Sequence, residues 1–111
     1  MLCVNRLENT IELYRGDSLM VEFAVTWEDA TIADLTGFNA RFKAADDSIH
    51  KDSTNPSEVI ILVPRSQGKF RVVLLPADTA ALRLNYDYSY DAELYDGSNV
   101  YTVSSGVFRV I

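Results

Sequence analysis

The chain has 111 residues, 48% of them hydrophobic and 23% charged, with a formal net charge of -6. Such a composition fits one soluble globular domain over residues 1–111, and excludes a disordered or fibrous chain and a two-domain enzyme with a cleft between its halves. A pI near 4.6 leaves little for a phosphate backbone to bind, so nucleic acid is not an expected partner.

The opening, Met1-Leu2-Cys3-Val4-Asn5-Arg6, has no basic stretch followed by an apolar run of signal-peptide length. Cys3 is the single cysteine, so neither an internal disulfide nor a cysteine zinc cluster can form, and it reads as a small apolar residue near a terminus. No segment approaches the roughly 20 apolar residues that cross a bilayer, so no membrane partner is expected.

From there the dominant period is two, the rhythm of a half-buried strand whose successive side chains point to opposite faces. A first strand spans about Thr10 to Tyr14, and Arg15-Gly16-Asp17 turns it into a second, about Leu19 to Trp27, with Val21, Phe23, Val25 and Trp27 on one face. Arg15-Gly16-Asp17 spells an adhesion tripeptide, but it falls where a turn is needed, and Gly16 supplies the turn backbone. Leu35-Thr36-Gly37 leads into a third strand that alternates Phe38, Ala40, Phe42 and Ala44 with polar residues. Asp46 to Ser57 is polar and reads as an exposed loop with room for a short strand at Ser48 to Lys51. A fourth strand (about Glu58 to Val63) and a fifth (about Lys69 to Leu75) flank Gln67-Gly68. Pro76 to Leu84 reads as one short helical turn with Asp78 or Thr79 as its cap.

The sixth strand, about Tyr86 to Tyr95, lines Tyr86, Tyr88, Tyr90, Ala92 and Leu94 along one face and acidic residues along the other. Leu82 to Tyr88 has the look of a tyrosine corner, in which Tyr86 or Tyr88 bonds to backbone a few residues upstream. Asp96-Gly97 signals a two-residue hairpin turn into a seventh strand, about Val100 to Ile111. There the apolar phase switches from odd (Tyr101, Val103) to even (Phe108, Val110), which requires one extra residue; Gly106 is the expected site of that β-bulge. About seven short strands and one helical turn describe an all-β chain: an immunoglobulin-like, two-sheet antiparallel β-sandwich, with a partly open five-strand barrel as the alternative.

No constellation for chemistry stands out. His50, the single histidine, sits in a polar loop with Ser48, Asp52 and Ser53, and triad partners are normally fixed by packed elements instead. Asp87, Asp91 and Glu93 share a strand face at spacings open to a glycosidase pair, but a flat face offers no cleft. Asp46, Asp47 and Asp52 do not follow the spacing of a calcium-binding EF-hand loop. No catalytic residue, cofactor site or metal site is therefore assigned. Tyr14, Tyr95 and Tyr101 lie off the inward stripe or near strand ends and are the expected partner contacts, because tyrosine is enriched at interfaces.

Taken together, Ile11 to Ser18, Ala33 to Phe42, Gly68-Lys69-Phe70, Tyr86 to Leu94, and then Gly97, Tyr101-Thr102-Val103 and Gly106 to Val110 follow an order that resembles the immunoglobulin-like domains of tailed-phage and prophage structural proteins. The N-terminal domain of phage baseplate upper proteins is a member of that group. The resemblance covers nearly the whole chain and rests on strand and turn patterns. It implies a non-enzymatic assembly module of a tail, baseplate or head that docks on other virion proteins, with self-association open. The expected location is the virion, or the cytoplasm of the bacterial host before assembly. A carbohydrate- or cell-surface-binding sandwich is the alternative.

Overall fold

The computed structural model describes residues 7–111. Cys3 lies outside the described residues. Among these, the chain runs β1 (Leu7–Leu13), β2 (Leu19–Ala24), β3 (Asn39–Ala44), β4 (Ile49–Asp52), β5 (Val59–Ile61), β6 (Lys69–Leu74), α1 (Pro76–Thr79), β7 (Tyr88–Tyr95) and β8 (Val100–Val110), with a 3-10 turn at Arg65–Gln67. The short strand for which the polar loop had room is real and forms β4, so the described strands number eight.

Two sheets form, ordered β1-β8-β7-β3-β4 and β2-β6-β5. The named strands all pair antiparallel except β1 with β8, which run parallel from Leu7 opposite Ser104 to Leu13 opposite Val110. The first strand thus leaves the sheet of its successor β2 and closes the edge of the other. One sheet therefore carries β1, β3, β4, β7 and β8 and its opposite carries β2, β5 and β6. The fold is an immunoglobulin-like β-sandwich.

The inward stripes meet as the alternation requires. Phe42, Tyr90 and Phe108 from the larger sheet and Phe70 from the smaller are essentially inaccessible, and Phe23 is buried beside them. Phe42 stacks on Tyr90 with ring centroids 5.6 Å apart, Phe23 stacks on Phe70 at 5.1 Å, and Phe42 meets Phe108 at 6.2 Å. Phe23 joins the two sheets, its ring tilted 6.3 Å from Phe42 and 6.5 Å from Tyr90, within the range of favourable aromatic pairs.

The expected change of phase in β8 is present, but its bulge lies elsewhere. Ala92 pairs with Ser104 while Glu93 pairs with Thr102, so Val103 is the extra residue. Val103 and Ser104 consequently both turn inward, and the buried Ser104 hydroxyl shares a hydrogen bond with the Tyr90 hydroxyl at 2.9 Å. Gly106 stays in register with Tyr90 on one side and Asn9 on the other. Its role is close approach: with φ at 151°, a Cβ there would lie 1.9 Å from the Asn9 carbonyl oxygen.

Other local expectations resolve in detail. Tyr88 makes the tyrosine corner, accepting a hydrogen bond from the Arg83 backbone N–H at 3.0 Å. Tyr86, placed on the inward stripe from sequence, is instead 43% exposed, because β7 begins only at Tyr88, and Arg83 lies over its ring. The tip of the β7–β8 hairpin is Gly97-Ser98, one residue later than expected. Asp96 pairs with Asn99 through backbone, and its carboxylate accepts from the Ser98 and Asn99 N–H groups. Asp78 stands inside α1 rather than before it, accepting from the Leu75 N–H at 2.7 Å. The same carboxylate pairs with the largely buried Lys51 ammonium of β4 at 2.9 Å, tying the edge of one sheet to the connection leaving the other.

Candidate functional site

The registers place three connections at one end of the sandwich. Asn39 at the start of β3 pairs with Tyr95 at the end of β7, and Ala24 at the end of β2 pairs with Lys69 at the start of β6. The 25–38 connection, the 62–68 connection and the Asp96–Asn99 turn therefore emerge together. The first two are laced to one another: the Val25 N–H donates to the Gly68 carbonyl, the Leu35 N–H to the Arg65 carbonyl, and the Arg65 guanidinium to the Phe38 carbonyl at 2.8 Å. A Cβ on Gly68 would lie 2.6 Å from the Ala33 carbonyl oxygen, and its φ of 68° is left-handed, so glycine is required where two of these loops touch.

Tyr101 sits at this end, half-buried between two rings, edge-on to Trp27 at 6.2 Å and to Phe38 at 5.9 Å. Trp27 is thus not a central core residue; it packs against the rim of the core. Tyr95 is nearby but committed within the fold. Its hydroxyl donates to the Asp52 carboxylate, 2.8 Å from one oxygen and 2.7 Å from the other, and the Arg41 guanidinium lies 4.7 Å above its ring. Tyr14 belongs to the opposite end, where it is 65% exposed beside the Arg15-Gly16-Asp17 turn. The three tyrosines expected from sequence to touch partners therefore do not form one surface, and Tyr14 is the freely presented one.

Several of the groups weighed for chemistry are engaged in structural contacts. Ser53 donates to Asn39 and accepts from the Ala40 N–H, while Asp52 accepts from Tyr95 and from the Thr54 N–H, so neither is held for His50. Asp87 pairs with Arg109, which also holds Glu12, and Glu93 pairs with Arg41. Asp46 and Asp47 occupy left-handed positions in the β3–β4 turn, whereas Asp52 lies at the far end of β4; the three do not converge. In the Arg15-Gly16-Asp17 turn Gly16 has φ at 87°, and the Arg15 guanidinium is bonded to the Leu82 carbonyl rather than displayed.

No protein-family model matches the chain, and no curated protein does. Solved structures do match. One is the extracellular fragment of novel immune-type receptor 10 from Ictalurus punctatus, at 11% identity over 95% of this chain and 97% of that one, with a TM-score of 0.41. Nothing about function follows from a likeness of that size; the fold stands on its own strand order.

The Asp52–Tyr95 pair makes a pH-dependent contribution whose sign is fixed. Burial pushes the Asp52 carboxyl up, but the Thr54 N–H and the Tyr95 hydroxyl bind its charged form, and the net effect holds it below its usual 3.8. A carboxyl lowered in the folded state stabilises above its unfolded pKa, and that stability is lost as pH falls through the folded value. Thermal unfolding scans between pH 7 and pH 3 should show a smaller acid-induced drop in Tm for Asp52→Asn than for the unaltered chain. Equal drops would mean that the pair contributes no linkage.

Proposed function

We propose that this chain is a non-enzymatic structural protein of a phage or prophage particle, placed in the tail, baseplate or head, and working by docking on other virion proteins. The observation that supports the non-enzymatic part is the one above: Ser53, Asp52, Asp87 and Glu93, four of the side chains weighed for catalysis, are each bound up in contacts that hold the sandwich together. What is left to the surface is strand edges, sheet faces, loop ends and a cavity of about 400 Å³ between β1 and β2 whose lining includes a single carboxylate, Glu22. Those are features that another protein can cover by shape, by backbone pairing or by charge.

The phage part is supported by the order of motifs. The stretches that carry the resemblance fall on β1 and its turn, on the approach to β3 and β3 itself, on the Gly68 junction, and on β7 and β8. A carbohydrate-binding reading has less support, because the Trp27 ring packs against Tyr101 and both the hydroxyl and one face of Tyr95 are occupied.

The test is particle composition. Virions released from cells that carry the gene, purified by density gradient, should contain the chain in fixed proportion to other structural subunits when measured by quantitative mass spectrometry. Its recovery only in the soluble fraction, with none in purified particles, would overturn the reading.

A further inference from the structure

We infer that the loop end formed by residues 25–38, 62–68 and 96–99 is the docking surface, and that its partner is a protein surface presenting lysine or arginine around an apolar side chain. The inference rests on the docking role proposed above and adds to it a place and a chemistry.

Two observations coincide there. The first is exposed apolar area: Ile32 is 62% exposed and Val63 80%, beside the half-buried rings of Trp27, Phe38 and Tyr101. Other apolar residues are exposed elsewhere, Met20, Ile60 and Leu75 among them, but here they adjoin partly exposed aromatic rings, as a desolvated contact requires. The second is charge. These loops hold Glu28, Asp29, Asp34 and Asp96 but only one cation, Arg65. The Arg65 guanidinium points back at the Leu35 and Phe38 carbonyls and so does not neutralise the rim.

The three aspartates also keep their charge in mild acid. Thr31 and Thr36, through hydroxyl and N–H, bind the ionised forms of Asp29 and Asp34, and the Ser98 and Asn99 N–H groups bind that of Asp96; all three lie below the usual carboxyl range. The opposite end differs. It too exposes apolar residues, Tyr14, Leu84 and Tyr86, but Arg15, Arg83 and Arg109 are interleaved with its acids, and Arg83 covers Tyr86. An apolar patch inside an unneutralised acidic rim repels a second copy of itself, nucleic acid and anionic lipid alike, and selects a basic protein surface.

The test titrates the isotope-labelled full chain with a twelve-residue probe peptide repeating Leu-Lys-Lys-Leu, alongside one repeating Leu-Glu-Glu-Leu, and follows backbone amide shifts. The lysine peptide should move amides of the three loops, the glutamate peptide should not, and Glu28→Lys combined with Ile32→Ser should weaken binding about tenfold. Neither substitution removes a capping side chain of the Asp29–Thr31 or Asp34–Thr36 pairs, and the amide spectrum itself reports whether the variant is folded. Shifts centred on Asp46, Asp47 and Asp91, or equal binding by the variant, would overturn the inference. The same variant expressed in the particle-producing cells separates the two readings. Its incorporation into particles at the unaltered level sinks this surface and leaves docking intact, whereas absence of even the unaltered chain from particles sinks the docking role.

Discussion

Replacing Gly106 with valine should cost roughly 3–5 kcal/mol of stability, in the severe tail of single substitutions. The reason is steric and cannot be relieved by side-chain motion. A Cβ at this position would meet the Asn9 carbonyl oxygen at 1.9 Å, the carbonyl carbon at 2.9 Å and the amide nitrogen at 3.0 Å, all of them backbone. Either β8 must abandon a backbone angle that suits glycine, or β1 must move away and give up its pairing from Leu7 to Leu13. The second course exposes Ile11 and Leu13, which close one side of the core. Urea unfolding measures the loss, and amide exchange should show it concentrated in β1 and in residues 104–110. Gly97→Ala is the control: no atom lies within 4 Å of its Cβ, and it should change stability by no more than about 0.5 kcal/mol. A Gly106→Val chain within about 1 kcal/mol of the unaltered protein would mean that the β1–β8 pairing is not held as described.

Gly106 also shows what could be read from the sequence and what could not. The alternation of apolar residues located β2, β3, β6 and β7 to within three residues at either end, since period two leaves no other way to bury one face. The switch of phase in β8 was legible for the same reason. Its position was not, because any residue between Val103 and Phe108 restores the phase equally, and glycine attracted the assignment. What placed the bulge at Val103 is a partner distant in sequence: the Tyr90 hydroxyl, which needs the Ser104 hydroxyl inside the sandwich. The glycine was required for a different distant partner, β1. Parallel pairing of β1 with β8 likewise leaves no local signal, since the same alternating strand can join either sheet edge.

The candidate surface was less legible still. Tyr101 was singled out by lying near a strand end, but Tyr14 and Tyr95 satisfied the same criterion and stand elsewhere. Convergence of loops is a property of topology, and Ile32 and Val63, the exposed apolar residues of the two connections at that end, do not stand out in a linear reading. One signal was available but not distinctive: residues 25–38 contain three acids and no lysine or arginine, and residues 84–108 contain four acids and none either.

The loop end works as a surface only if the scaffold beneath it is rigid, and that rigidity has a centre. Phe42→Ala should destabilise the fold by about 3–5 kcal/mol. Phe42 touches the rings of Phe23, Tyr90 and Phe108, so its removal opens a void at the one place where β2, β3, β7 and β8 all contribute aromatic side chains. Small neighbours cannot refill it: Ala40, Ala44 and Ala92 are the adjacent inward residues on β3 and its partner β7. The comparison that isolates packing from polarity is Tyr90→Phe, which keeps the ring and leaves the Ser104 hydroxyl without its partner, at about 1–3 kcal/mol. Chemical denaturation should therefore rank Phe42→Ala above Tyr90→Phe. If Phe42→Ala proved the milder of the two, the sandwich would owe its rigidity to the Tyr90–Ser104 hydrogen bond rather than to the stacked rings, and the loops would be anchored through β8 instead of through the core.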